Sequence, residues 1–160
     1  MTDDMQTVSS FAKDEYGISG ASLQAIVNFG YALLAIAGGD GEVSDAEMQW
    51  LINHQTKFGA PEEVLTLYKS FDYKNANLKE LLPDIKVDVD TWSAVNSLIY
   101  HAIYMSSADG VYSDAERAKV KEAAKIIGVA DDIVLTLESL VEMERSVFKM
   151  RKALFHVNTF

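Results

Sequence analysis

The chain contains no cysteine. That absence excludes disulfides, thiolate metal sites and cysteine nucleophiles, and it leaves the redox compartment unconstrained. Proline is scarce, with only Pro61 and Pro83, so little interrupts long helices. Cations are few: 14 Lys and Arg face 24 Asp and Glu, for a net charge of −10. A nucleic-acid binder needs a basic stripe to displace counterions, so no nucleic-acid partner is expected. The one basic cluster, Arg145, Lys149, Arg151 and Lys152, reads as a helix end whose cations complement the macrodipole.

Catalytic signatures are missing as well. The sequence has no nucleophile elbow, phosphate loop or dinucleotide fingerprint, so no organic cofactor is expected. Leu51, Leu98 and Ala153 stand three residues before His54, His101 and His156, so no Glu-x-x-His pair exists. Di-iron carboxylate sites and paired-histidine zinc sites are thereby excluded, and the histidines read as packed or solvated. The expectation is a protein that is not an enzyme. The start, Met1-Thr2-Asp3-Asp4, is acidic where a signal peptide needs a basic region, which makes the cytoplasm the expected location.

What is present is helical. Hydrophobic residues make up 49% of 160, enough for a single domain with a real core. No charge occurs from Gly17 to Gly39, a run long enough to span a bilayer. Ser19, Ser22, Gln24 and Asn28 are costly in lipid and ordinary in a buried central helix, so no membrane span is expected. Leu23, Ile26, Val27, Gly30, Leu34 and Ala37 repeat at helical spacing. Met48, Leu51, Ile52, Gln55 and Phe58 mark a second helix ended by Gly59, and Pro61 opens a third carrying Val64, Leu67, Tyr68 and Phe71. A short turn at Leu78–Leu82 stops at Pro83, and residues 85–90 read as an extended connector too isolated for a sheet. Asp90 is the expected N-cap of the next helix, with Val95, Ile99, Ala102 and Ile103. Another carries Val120, Ala124 and Ile127 and closes at Gly128. The last begins near Ala130, with Ile133, Val134, Leu137, Leu140, Val141 and Phe148 on its apolar stripe.

These two passes are one unit repeated at an offset of 69 residues, covering about 20–71 and 90–141 after an N-terminal segment of 1–19. The stretch Asp40 to Glu47 lies on Asp109 to Glu116; Ile26, Leu34, Leu51 and Gly59 lie on Val95, Ile103, Val120 and Gly128. Each unit has an apolar stripe that it cannot bury alone. The expected fold is therefore all-α, a single-domain bundle of two helix–loop–helix repeats related by a pseudo-two-fold axis.

The shared motif is Asp-Gly-x-x-Ser-Asp-Ala-Glu. Ser44 and Ser113 suit an N-cap, Glu47 and Glu116 the N3 position of a capping box, and Asp45 and Asp114 the first turn. Gly41 and Gly110 suit a sharp reversal, and Asp40 and Asp109 an Asx-turn. A second reading compares the loop with a calcium-binding EF-hand. Asp40, Gly41, Val43, Ser44 and Glu47 match positions 5, 6, 8, 9 and 12, as do Asp109, Gly110, Tyr112, Ser113 and Glu116. Positions 1 and 3 would be Ile36 and Gly38, or Met105 and Ser107, so a full EF-hand is excluded. Half a shell remains: Asp40, Ser44 and Glu47, or Asp109, Ser113 and Glu116. A cation there would need waters or carboxylates such as Glu42, Asp88, Asp3 or Asp4. An all-oxygen set favours calcium or magnesium over zinc. The competing reading is a metal-free interaction scaffold whose loops only cap helices.

The paired Ala-x-x-Asp-Gly-x-x-Ser-x-x-Glu pattern resembles the TerB-like family, which includes tellurite-resistance proteins and the N-terminal domain of a DnaJ-type co-chaperone. The matching residues are Ala37, Asp40, Gly41, Ser44 and Glu47, then Asp109, Gly110, Ser113 and Glu116, with Ala108 giving the commoner Ala-Asp-Gly form. The likeness covers about residues 20–150. It implies a bundle of about seven helices, a role in metal or chemical stress, and divalent-cation binding at the acidic cluster. Trp50 points about half a turn away from its helix's core face. Either another segment of the chain covers it, residues 1–19 for instance, or it anchors a protein partner or a homodimer.

Overall fold

The computed structural model describes residues 5–158. Eight α-helices occur among them: α1 (Ser10–Tyr16), α2 (Leu23–Ala37), α3 (Asp45–Phe58), α4 (Glu62–Lys69), α5 (Leu78–Leu81), α6 (Ala94–Ser106), α7 (Asp114–Ile127) and α8 (Asp131–Phe155). The fold is all-α, as the periodicity implies. Two three-residue strands, β1 (Met5–Thr7) and β2 (Gly20–Ser22), pair antiparallel with Gln6 opposite Ala21. The connector expected to stand apart joins them, because Val87 bridges Ala21. The Asp88 carboxylate then accepts the Ser19 amide at 3.1 Å, tying the connector to the N-terminal segment.

The uncharged segment is the centre of the molecule. On α2, Leu33 and Leu34 are fully buried, and α3, α4, α5, α6 and α7 all pack around the helix. Each such leucine contributes about 2 kcal/mol through burial. The 18-residue window from Leu23 to Asp40 is long and apolar enough to cross a membrane, yet two-thirds of it is buried inside the protein. It is the core helix. Gly30 lets the Tyr68 ring of α4 lie directly on α2, with the hydroxyl donating to the Ile26 carbonyl at 2.6 Å.

The offset of 69 residues reappears in the helix bounds. It carries the bounds of α3 onto those of α7, and the start of α4 onto the start of α8. Gly41 and Gly110 adopt left-handed φ values of 98° and 95°. Three local expectations shift. Ser93, not Asp90, caps α6, because its hydroxyl accepts the Asn96 amide. Pro61 sits at the N-cap of α4 rather than inside its first turn. On α8, Val134 and Val141 are buried, whereas Ile133, Leu140 and Phe148 are exposed.

Candidate functional site

Both acidic loops fold as capping boxes. Ser44 Oγ accepts the Glu47 amide at 3.1 Å, and Glu47 Oε1 accepts the Ser44 amide at 3.0 Å. Ser113 and Glu116 repeat this at 3.2 and 3.0 Å. Asp40 Oδ1 accepts the Glu42 amide and Asp109 Oδ1 the Val111 amide, closing the expected Asx-turns. One oxygen each of Asp40, Glu47, Asp109 and Glu116 is thus committed to the backbone.

The first loop also holds a cation that the sequence did not reveal. Lys119 of α7 donates to the Ala37 carbonyl at 2.9 Å, at the negative end of α2. The same ammonium lies 3.5 Å from Asp40 Oδ2 and 4.0 Å from Glu47 Oε2. Glu47 Oε2 is buried with no hydrogen bond, so Lys119 supplies its only counter-charge among the described groups. Of the carboxylates weighed as extra ligands, Asp88 is tied to Ser19, and Asp3 and Asp4 lie outside the described residues. No group of three or more His, Cys, Asp or Glu among the described residues is arranged to hold a metal ion.

A second site lies between α3, α6, α8 and the N-terminal helix α1. His54 of α3 and His101 of α6 stand with ring centroids 4.6 Å apart. Trp50 runs nearly parallel to both His54 and Tyr104, at 8° each. Tyr16, Phe29 and Tyr100 meet His101 edge-on. Above them opens a cleft of about 490 Å³, in the size range of small-molecule sites, with Phe11, Glu15, Glu144 and Phe148 on its walls. Phe11 and Tyr16 of the N-terminal segment line the same cleft as Trp50.

Hydrogen bonding fixes every proton in the lower half of the cluster. The Ile26 carbonyl only accepts, so Tyr68 donates to it, and the Tyr68 oxygen accepts from Gln55 Nε2 at 3.0 Å. Gln55 Oε1 therefore faces His54 Nδ1 at 2.9 Å and accepts its proton. His54 Nε2 is then bare and accepts from the Tyr16 hydroxyl at 3.0 Å. His101 Nδ1 donates to the Ser97 carbonyl at 2.7 Å, which leaves Nε2 as a lone pair, buried and without a partner.

Burial keeps both rings neutral. It lowers His54 to about 4, against a smaller opposing effect of the Gln55 hydrogen bond. His101 falls well below the usual histidine value, through burial first and the nearby His54 second. Burial, then the charge of Glu144, pushes Tyr104 up to about 12, and burial raises Tyr16 and Tyr100 further. The tyrosines stay protonated and donate. Tyr100 and Tyr104 both bond Glu144 Oε1, at 2.5 and 3.2 Å.

No family model and no curated protein matches this chain. Among solved structures, a tellurite resistance protein from Nostoc punctiforme matches with a TM-score of 0.82. The match covers 94% of this chain and 93% of that one, at 23% sequence identity. The fold is that of a tellurite resistance protein.

Within this TerB-like fold the histidine cleft is where the repeat is broken. The offset that superposes the acidic loops places His54 on Ala123, His101 on Ala32, Tyr104 on Ala35 and Trp50 on Lys119. The α2–α7 contact is lined by small side chains and the lysine that enters the first loop. Its counterpart between α3 and α6 holds rings and a cleft. Alignment of the two halves could have found this site, since alanine facing histidine twice under one offset is the visible signal. Periodicity could not, because a histidine at a core position reads as ordinary packing.

Proposed function

We propose that this chain is a non-catalytic binding domain acting in a response to chemical stress, with the aromatic–histidine cleft as its working surface. The tellurite resistance protein of like fold supports the stress setting. A net charge of −10 argues against direct capture of an oxyanion, so the role is indirect. One observation carries the reading: under the offset of 69 residues, alanines and a lysine stand where this cleft has its rings, and its lining includes His101, whose buried Nε2 has no partner.

The chemistry of that site selects its occupant. Flat π faces, the Glu15 and Glu144 carboxylates and the His101 lone pair suit a small planar organic cation bearing N–H donors. Lys57 and Lys152 also line the cleft, both exposed, with the Lys57 ammonium over the Phe11 ring. Benzamidine is a suitable probe, and benzoate the matched anion. Titration should quench tryptophan emission saturably with benzamidine and not with benzoate, and His101→Phe should weaken binding about tenfold. Equal, weak effects of both probes, unchanged in the variant, would remove the cleft from consideration.

The acidic loops then serve structure, with Lys119 in the place a divalent ion would take. Calorimetric titration with calcium or magnesium should give no heat that depends on Asp40 or Glu47. Lys119→Met strands the Glu47 carboxylate and should cost about 2 kcal/mol, partly restored by millimolar calcium. A calcium response of the unaltered protein, abolished by Asp40→Ala, would restore the cation reading.

A further inference from the structure

The C-terminal helix α8 is 25 residues long, about 37 Å, and the bundle uses only part of it. Val134 and Val141 are buried, whereas every residue from Ser146 to Asn158 is exposed. Beside the packed face runs a second stripe. Ile133, Leu140, Val147 and Leu154 recur every seven residues. Thr136, Met143 and Met150 follow the first three of them by three. This 3–4 alternation is the seam of a two-stranded coiled coil, narrower than the face of a bundle helix. It faces water: Met143 is 60% exposed, Met150 62% and Leu154 68%.

Charge is sorted along the same helix. Asp131, Asp132, Glu138, Glu142 and Glu144 occupy its first half, and Arg145, Lys149, Arg151 and Lys152 its second. Macrodipole complementation explains charges in the first and last turns but not a division running the whole length. An anionic lipid surface would attract one half and repel the other. A second copy of the same helix, running antiparallel, sets Lys149, Arg151 and Lys152 beside the partner's acidic half, where Glu142 is exposed while Glu138 and Glu144 are held by Arg117, Tyr100 and Tyr104.

We infer that α8 pairs with the α8 of a second copy of this chain as an antiparallel coiled coil. The register follows from aligning acidic half with basic half. Leu140 then packs against the partner's Met150, and Val147 against the partner's Met143. The interface is isologous, as a two-fold dimer requires.

Sedimentation of the whole chain at 1–100 µM tests this. A dimer is expected, and Val147→Asp should raise its dissociation constant about 100-fold, as for an anchor at an interface centre. Because Val147 is exposed in the single chain, that variant should keep its helical circular dichroism. The absence of native cysteine allows a direct reading of orientation. A mixture of Leu140→Cys and Met150→Cys chains should form the mixed disulfide readily, and either chain alone poorly. Efficient cross-linking of Leu140→Cys with itself would overturn the antiparallel arrangement. A monomer at 100 µM, or a monomer that co-sediments with phosphatidylglycerol vesicles, would overturn the pairing altogether.

Discussion

Gly30→Ala should lower the stability of this domain by about 3 kcal/mol, measured by urea unfolding followed through helical circular dichroism. A methyl group at that position would lie 2.2 Å from Cε1 and Cζ of Tyr68, far inside van der Waals contact. The ring cannot retreat cheaply. Tyr68 is fully buried, its hydroxyl donates to Ile26, and its oxygen accepts from Gln55. Moving it would break the chain of hydrogen bonds that ends at His54 and Tyr16. Alanine gains about 1 kcal/mol of helix propensity over glycine, and that offset is included in the figure. Gly39→Ala is the control: its methyl meets only the Lys119 side chain at 3.7 Å, and stability should change by less than about 1 kcal/mol. A double variant adding Tyr68→Leu should lose less than the sum of the two single losses, because both act on one contact.

Acidification should unfold the protein through the buried His101 and the partly buried His54. In the unfolded chain a histidine takes up a proton below about 6.5, and folded His54 does so only near 4. Between those values the unfolded state binds more protons, so stability falls as the pH is lowered and is fully present above about 6.5. His54 accounts for about 2 kcal/mol of this loss by pH 4, after allowance for its partial exposure, and His101 adds to it in the same direction. Protonation of His54 also turns Nε2 from acceptor to donor, which conflicts with the proton given by Tyr16. The check is urea unfolding at pH 7.5, 5.5 and 4.5 for the unaltered protein and for His54→Gln with His101→Phe. The double variant should show a much flatter pH dependence. Equal slopes in the two proteins would mean that the carboxylates alone govern acid sensitivity.

Much of the architecture was readable from local patterns. The capping boxes at Ser44 and Ser113, the C-terminal glycines Gly59 and Gly128, and the reversals at Gly41 and Gly110 depend on residues within one turn of each other. Such features survive in any context that lets the helix form. The core face of α2 was readable for the same reason. On α8, Ile133 and Leu140 stand in the apolar pattern beside Val134 and Val141, yet only the valines are buried. Two apolar stripes side by side look like one broad stripe in sequence, and only the position of α6 shows which is covered.

The amino-acid order alone therefore determined the helices, their caps, the duplication and the buried central segment, because each rests on interactions spanning a few residues or on a repeat visible by inspection. Only the tertiary structure decided which charges and rings meet. Lys119 lies 79 residues from Asp40, and His54 lies 47 from His101. Packing α7 against α2, and α3 against α6, brings those partners within reach, and no periodicity along the chain encodes the distance between them.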